Sequence, residues 1–357
     1  MPLDFVDHRS DPAAWAKSLD VSREAIDLYL ASDVIDLHID GFIWTRIFGY
    51  DLTKRHGSGL FDGRFYGHAD LPRLREAGVT GGVWVITTNP LRRSRSRADA
   101  FSKNFARLRE LLEGCKDDVM IVRTAADYAD AKRQGKHAAW IGIQGGNALD
   151  GEPDALDRIP DGMVVRVTLV HLSNSGLGVT SSPLKIRGGN AGLTTAGKNY
   201  VARLNEKKIF VDLAHINRRG FFDAVEVHDK TQPLIVTHTG ISGVYPHWRN
   251  IDDEQLRAVA DTGGAVGVMY QASFLGRRNV SAVTVVEHLE HICDVVGDDV
   301  AALGSDWDGA ITTPRDMKTC LELPRVVDAM LKRKWSPERV RKVLGGNFLR
   351  ALRLLRG

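Results

Sequence analysis

The sequence predicts an α/β fold, a single closed (β/α)8 TIM barrel with C-terminal closing helices. Eight short apolar runs recur along the chain, patterns of helical period lie between most of them, and no low-complexity linker divides the 357 residues. Strands that are apolar throughout, rather than alternating, are typical of a parallel sheet covered on both faces. Eight such strands in a chain of this length favour a closed barrel over an open sheet.

The predicted elements follow from apolar and helical periodicity. The eight predicted strands are Val34–Leu37, Val79–Ile86, Ala138–Ile143, Met163–Leu169, Ile209–Leu213, Leu234–Val236, Ala265–Met269 and Val300–Leu303. The helices predicted between them are Leu71–Ala77, Ala98–Glu113, Thr195–Lys207, Arg219–Val227, Asp252–Ala260 and Val283–Val296.

Further helices are predicted at the two ends of the chain. Ser22 is a suitable cap for a helix that reaches Ala31. The tail predicts two closing helices, Leu321–Lys334 and Pro337–Leu355, the second with Ser336 as cap and proline at its first position. We therefore expect one domain over 1–357, with an N-terminal helical lead over 1–32 and C-terminal helices over 321–357.

Composition excludes several functional classes. Charged residues at 26% and hydrophobic residues at 43% are ordinary for a globular protein. The net charge of +3 is too small to indicate a nucleic-acid surface, and the basic run Arg92–Arg97 is more typical of a solvated loop or the start of a helix. No apolar stretch approaches the length that spans a membrane. We expect neither nucleic acid nor membrane as a partner.

The cysteines and the N-terminus indicate a cytoplasmic protein. The three cysteines, Cys115, Cys293 and Cys320, are far apart and form no Cys-x-x-Cys pair. They predict neither a disulfide framework nor a thiolate zinc site, and they fit a reducing compartment. The N-terminus lacks the basic region and apolar core of a signal peptide.

Potential metal ligands and proton carriers follow the predicted strands. His38 and Asp40 follow the first strand at a spacing of two, so on extended backbone both point to the same side. An imidazole and a carboxylate there suit a divalent metal such as Zn²⁺, although a hydrogen-bonded pair is the simpler alternative. Later runs are followed by Gln144, His171, His215, His238 and Asp306. Because barrel chemistry lies at the carboxyl ends of the strands, this recurrence predicts a metal-assisted hydrolytic site.

The order of these residues also resembles a known family, the renal or membrane dipeptidases, which are zinc metallopeptidases. The resemblance runs from about Asp33 to Leu355. It is carried by Asp36-x-His38-x-Asp40, His68-Ala-Asp70-Leu-Pro72, Ile141-Gly-Ile-Gln144-Gly-Gly146, Leu169-Val-His171-x-x-Asn174, Val211-Asp-Leu-Ala-His215, Thr237-His238-Thr, Arg249-Asn250, Gly304-Ser-Asp306-Trp-Asp308-Gly309 and Gly345-Gly346-Asn347-Phe348.

The resemblance implies a role for each site residue. His38 and Asp40 would bind one zinc ion, and His215 and His238 a second. His171 would contact the oxyanion, Arg249 the terminal carboxylate of the substrate, and Asp306 would carry the proton. The implied reaction is hydrolysis of the amide bond of dipeptides or similar small amides by a metal-bound hydroxide. Family members commonly form dimers, so a homodimer is possible.

Two of these roles have structural alternatives. Arg249 precedes the predicted helix that begins at Asp252, so its charge is also explained as that of an exposed rim residue. His171 is also explained as a histidine that braces a loop. Neither alternative is excluded by the sequence.

Gln144 departs from the family pattern, which has a bridging glutamate at this position. A carboxamide is neutral and has one good acceptor oxygen, so Gln144 can bind one zinc ion through that oxygen but cannot bridge two cations as a carboxylate does. We expect one zinc ion, or two bridged by hydroxide. The alternative function is a ligand-binding barrel with little or no catalysis, which lost a metal site through Gln144.

Overall fold

The predicted barrel is confirmed by a computed structural model that describes residues 2–57, 62–89, 96–149, 155–160, 162–183 and 191–357. In these ranges nine parallel strands form one sheet: β1 Ile35–Ile39, β2 Gly81–Thr87, β3 Val119–Ile121, β4 His137–Gln144, β5 Val164–Thr168, β6 Phe210–Asp212, β7 Ile235–Thr239, β8 Ala265–Val268 and β9 Ala301–Leu303. β1 pairs with β2 and β9, β2 pairs with β4, and β4 to β9 pair in chain order. Eight strands therefore close the barrel.

β3 is a short additional strand that the sequence analysis missed. Val119–Ile121 pairs with the first residues of β4, His137–Ala139, while β5 pairs with the later part of the same strand. A run of three residues is too short to stand out in a sequence. Each of the eight predicted runs overlaps one barrel strand.

The helices of the described ranges cover the outside of the barrel. They are α1 Pro12–Leu19, α2 Arg23–Leu30, α3 Phe42–Phe48, α4 Leu71–Glu76, α5 Arg97–Gly114, α6 Ala125–Arg133, α7 Thr195–Glu206, α8 Arg218–Val227, α9 Asp253–Ala260, α10 Ala272–Leu275, α11 Ala282–Val296, α12 Pro324–Lys332, α13 Pro337–Arg341 and α14 Asn347–Arg356. The six helices predicted between strands match to within one residue at each end. The sequence analysis missed α1, α3, α6 and α10.

The predicted closing helices are present with two local changes. The first begins as a 3-10 turn at Cys320–Glu322 and continues as α12. The second is formed by α13 and α14, which are joined by a π-helical turn at Lys342–Gly346. Asp328 of α12 accepts a hydrogen bond from the Ser22 amide over 2.9 Å, so the closing helices hold the N-terminal lead.

The interior of the barrel is filled near its amino-terminal end. Apolar residues of the strands, among them Trp140 and Phe210, form one cluster with the apolar face of α14. Phe348 of α14 contacts both rings, with centroid distances of 5.2 Å to Trp140 and 6.1 Å to Phe210. α14 thus covers this end of the barrel, and the carboxyl end is left for side chains with chemical roles.

The structure bears on three further features of the sequence: the basic run, the cysteines and the apolar stretches. Of the basic run Arg92–Arg97, residues 92–95 lie outside the described residues, and Arg97 begins α5. The cysteines Cys115, Cys293 and Cys320 are buried and free. Within the described ranges, every helix is too short or too polar to cross a lipid bilayer.

Gly304 lies where strands approach too closely for a side chain. A Cβ atom at this position would lie 1.8 Å from the backbone oxygen of Thr237. We expect Gly304→Ala to lower the free energy of unfolding by about 1–3 kcal/mol, the usual cost of overpacking, measured as a lower urea midpoint.

Gly114→Ala is the matched control, because a Cβ atom on this helical glycine would meet nothing within 4 Å. Replacing a helical glycine by alanine should change the unfolding free energy by zero to about 1 kcal/mol, in the stabilising direction. Equal urea midpoints for both variants would contradict the close contact at Gly304.

Candidate metal centre

The polar residues predicted from the strand ends converge at the carboxyl end of the barrel. His38 and His238 lie within β1 and β7, Gln144 is the last residue of β4, and His215 and Asp306 follow β6 and β9 by three residues. All five side chains are buried. The parallel register of the strands brings them to one end of the barrel.

The distances define a compact group of potential ligands. His38 Nε2 lies 3.4 Å from Asp306 Oδ1, and His215 Nε2 lies 2.8 Å from His238 Nε2. Among the described residues, His38, His238 and Asp306 form a trio whose ligand atoms all lie within 4.8 Å of one another. Asp40 lies outside this trio, and its Oδ1 accepts a hydrogen bond from the Thr87 hydroxyl over 2.6 Å.

Two of these residues have unusual backbone conformations. His215 and Asp306 have φ angles of 66° and 64°, in the left-handed region that costs a non-glycine residue about 1–3 kcal/mol. Backbone hydrogen bonds hold both turns: Ser181 donates to the His215 carbonyl over 2.7 Å, and Asp306 donates to the His38 carbonyl over 3.2 Å. Such strain is typical of functional sites, where the surrounding structure determines it.

Hydrogen bonds leave His238 with a free lone pair. The Thr237 hydroxyl donates its proton to Asp212 over 2.7 Å, so it must accept from Nδ1–H of His238 at 2.9 Å. Nε2 then carries a lone pair that faces His215. This pattern, in which the distal ring nitrogen donates, is the one that supports metal ligation by histidine.

His38 has the opposite arrangement. Arg166 Nη2 donates to His38 Nδ1 over 2.6 Å, and a guanidinium has no acceptor atom. Nδ1 therefore holds the lone pair, and the neutral ring carries its proton on Nε2, the atom that faces Asp306. A metal ion could use Nε2 only if the contact with Arg166 were rearranged.

Arg166 belongs to a buried ion pair that the sequence analysis missed. Its Nη1 donates to Asp212 over 3.0 Å, and both side chains are fully buried. Asp212 also accepts hydrogen bonds from Thr168 at 2.5 Å and from the backbone and hydroxyl of Thr237. The available signal was a single arginine in the middle of the apolar run Met163–Leu169.

Gln144 presents its amide to the imidazole cluster. Its Nε2 lies 3.4 Å from His215 Nε2, and its Oε1 is buried without a hydrogen-bond partner among the described residues. Turning the amide by 180° would exchange the two atoms, but only one oxygen is available in either orientation. The trio of two imidazoles and a carboxylate fits one divalent ion.

Burial sets the protonation of these groups. It lowers the pKa of His38, His215 and His238 well below the usual value, so their rings are neutral, as ligands must be. Burial also raises the pKa of Asp40 to about 7. The pKa of Asp306 is raised well above its usual value by burial and then by the charge of Asp40.

The two predicted substrate contacts lie beside this cluster. The His171 ring packs edge-on against His215 with centroids 4.7 Å apart, and its Nδ1 has no partner among the described residues. Arg249 is 3% exposed and donates to the His238 carbonyl over 2.7 Å. The alternative of an exposed rim charge for Arg249 is therefore wrong.

A barrel with buried imidazoles and carboxylates at the carboxyl ends of its strands has the architecture of a metal-dependent hydrolase. The family model of the membrane dipeptidases, peptidase family M19, matches residues 22–356. The chain belongs to this family of hydrolases.

Known proteins are similar to this chain over most of its length. An uncharacterized protein in the pqqA 5′ region of Klebsiella pneumoniae is 31% identical over 262 residues, 71% of this chain and 96% of that protein. The structure of dipeptidase AC, a metallo peptidase of family M19, is 28% identical, with a TM-score of 0.80 over 91% of this chain and 98% of that chain.

A third similar protein has a bound ligand. The metallo peptidase from Rhodobacter sphaeroides, liganded with a phosphinate mimic of the dipeptide L-Ala-D-Ala, is 26% identical, with a TM-score of 0.81. The similarity covers 91% of this chain and 99% of that one.

Removing one charge of the buried Arg166–Asp212 pair should destabilise the protein more than removing both charges. Asp212→Asn leaves the buried guanidinium of Arg166 uncompensated, which costs about 3–5 kcal/mol of unfolding free energy. We expect the double variant Arg166→Met/Asp212→Asn to be destabilised less than Asp212→Asn alone, in urea denaturation. A double variant that is less stable than the single one would contradict the charge argument.

Proposed function

We propose that the chain is a metal-dependent hydrolase that cleaves the amide bond of dipeptides or similar small amides, with zinc as the metal. The observation that carries this proposal is the trio of His38, His238 and Asp306 at the mouth of a barrel of the membrane dipeptidase family. The dipeptide mimic bound to the Rhodobacter sphaeroides relative supports a dipeptide as substrate.

His38, His238 and Asp306 would hold one divalent ion once the contact of Arg166 with His38 Nδ1 rearranges, with Asp40, His215 and Gln144 as the further ligands expected from the family. When bound, a divalent ion supplies a Lewis acid that polarises the scissile carbonyl and favours deprotonation of water.

Asp306 acts as the proton carrier in this proposal. One carboxylate oxygen faces His38, and the other is available to take a proton from the attacking water and deliver it to the leaving amine. The raised pKa of Asp306, caused by burial, suits a group that must hold this proton for part of the cycle.

His171 and Arg249 bind the substrate in this proposal. Both have a nitrogen without a hydrogen-bond partner among the described residues, Nδ1 of His171 and Nε of Arg249. His171 would donate to the oxygen of the carbonyl under attack, where negative charge develops. Arg249 would bind the terminal carboxylate, because a guanidinium matches a planar carboxylate.

A binding protein with little catalysis is the second candidate, favoured by Gln144 and Arg166. The neutral amide of Gln144 offers no negative charge to a metal ion. The guanidinium of Arg166 donates to His38 Nδ1 and so keeps the proton of the His38 ring on Nε2, the nitrogen that would bind the metal. This candidate predicts that small peptides raise the melting temperature without being hydrolysed. The single domain, the cytoplasmic location and the homodimer stay predictions of the sequence.

Asp306→Asn tests the proton carrier. We expect the zinc-loaded protein to release amino acids from L,L and L,D dipeptides, and the variant to be slower by about 10²–10⁴-fold in kcat, since general acid–base catalysis contributes that much. Asp99→Asn, an exposed position on α5, is the control and should keep full activity. Zinc-loaded protein that cleaves none of these dipeptides would overturn the proposal.

Gln144→Glu tests the number of metal ions. Elemental analysis of protein equilibrated with zinc should find one ion per chain in the natural sequence and two in the variant, because the carboxylate supplies the missing anionic bridge. Two ions in the natural protein would show that the amide does not limit binding. Unchanged metal content and activity in the variant would remove the basis of the binding-protein alternative.

A further inference from the structure

A cavity of about 460 Å³ lies beside the metal centre, between α3 and α5 and over the carboxyl end of β2. We call it the cationic pocket. Its lining includes Arg46, Thr87, Arg97, Phe101, Arg107 and His171. A volume of this size is typical of a site for a small molecule.

Two helices bring three guanidinium groups to this cavity. α5 contributes Arg97, Phe101, Asn104 and Arg107, which share one face because they are three or four residues apart. α3 contributes Arg46. The described residues that line the cavity include neither aspartate nor glutamate.

The apolar residues of the lining favour a ligand that has an apolar stem. Ile43, Ile47, Ile86 and Phe101 also line the cavity. A ligand with an apolar stem and an anionic end matches such walls, because the stem is buried against the aliphatic side chains and the anion pairs with arginine.

Two residues that line the cationic pocket also contact residues of the metal centre. Thr87 lines the pocket and donates its hydroxyl proton to Asp40 over 2.6 Å. His171 also lines it, and its ring packs against His215 of the imidazole cluster. A group in the pocket is therefore close enough to belong to the same molecule as an amide held at the metal centre.

The order of the strands separates the pocket from Arg249. In the closed barrel β7 lies across from β2, with β1, β9 and β8 between them on one side and β4, β5 and β6 on the other. Arg249 follows β7, whereas the pocket lies over β2. A substrate whose terminal carboxylate binds Arg249 would extend its other end toward the pocket.

We propose that the cationic pocket binds an acidic side chain on the N-terminal residue of the substrate, so that the preferred substrates are dipeptides with an N-terminal aspartate or glutamate. The proposal rests on the hydrolytic function proposed above. It assigns the two anionic groups of such a dipeptide to opposite sides of the barrel, the side-chain carboxylate to Arg46, Arg97 and Arg107 and the terminal carboxylate to Arg249.

Three dipeptides of similar size test this preference: L-Glu-L-Ala, L-Gln-L-Ala and L-Lys-L-Ala. The glutamine dipeptide has nearly the same shape as the glutamate dipeptide but no side-chain charge. With zinc-loaded protein we expect KM for L-Glu-L-Ala to be at least about tenfold lower than for L-Gln-L-Ala, since a charge-assisted pair with arginine is lost. L-Lys-L-Ala should be the poorest of the three.

Arg107→Gln and Arg97→Gln should each reduce this difference. In each variant we expect KM for L-Glu-L-Ala to rise about three- to tenfold and KM for L-Gln-L-Ala to rise less, since only the charge-assisted pair is weakened, while kcat for L-Glu-L-Ala changes little. Arg107 also donates to the Thr45 carbonyl, so Arg107→Gln could affect folding. Arg97→Gln keeps the proposal testable in that case. Arg278→Gln, an exposed arginine of a separate surface groove, is the control and should change nothing.

The outcomes separate this proposal from the function on which it rests. Equal KM values for the glutamate and glutamine dipeptides, or an equal loss for both in the arginine variants, would overturn the cationic pocket as a carboxylate site. If no dipeptide is hydrolysed, the proposed function fails. The affinities of the glutamate and glutamine dipeptides, measured by calorimetry, then test whether the pocket binds a carboxylate. Tenfold tighter binding of L-Glu-L-Ala would then support it, and equal binding would overturn it.

Discussion

The buried contact of Arg166 with Asp212 and His38 determines the character of the site. Asp212 neutralises the guanidinium and orients Thr237, which in turn orients His238. The same guanidinium donates to His38 and places the proton of that ring on Nε2. One ion pair at the base of the centre thus prepares one imidazole for ligation and opposes ligation by another. The two histidines that belong to the same trio are not equivalent.

Gln144 and Arg166 contribute no net charge to the site. The amide of Gln144 is neutral, and the charge of Arg166 is compensated by Asp212. Asp40 and Asp306 remain as the anionic groups beside the imidazoles, and burial raises the pKa of both. A centre of this composition suits one divalent ion with neutral donors better than two ions that share an anionic bridge.

The sequence predicted the barrel and the strand-end residues, but not how those residues are oriented. The strands were found because they are buried on both faces and therefore apolar throughout, as in Val79–Ile86. β3 was missed because three residues carry too little pattern. Arg166 and Asp212 were missed because their roles depend on contacts across the barrel, between β5, β6 and β1, which no local spacing encodes.

The position of α14 has a consequence for the cooperativity of folding. The side chain of Phe348 completes an apolar cluster to which strands from β1 to β9 contribute, so these strands share one partner at the amino-terminal end of the barrel. Detachment of α14 would expose this interior to water for all of them at once. We therefore expect α14, the barrel and the metal centre at its other end to form and unfold as one unit.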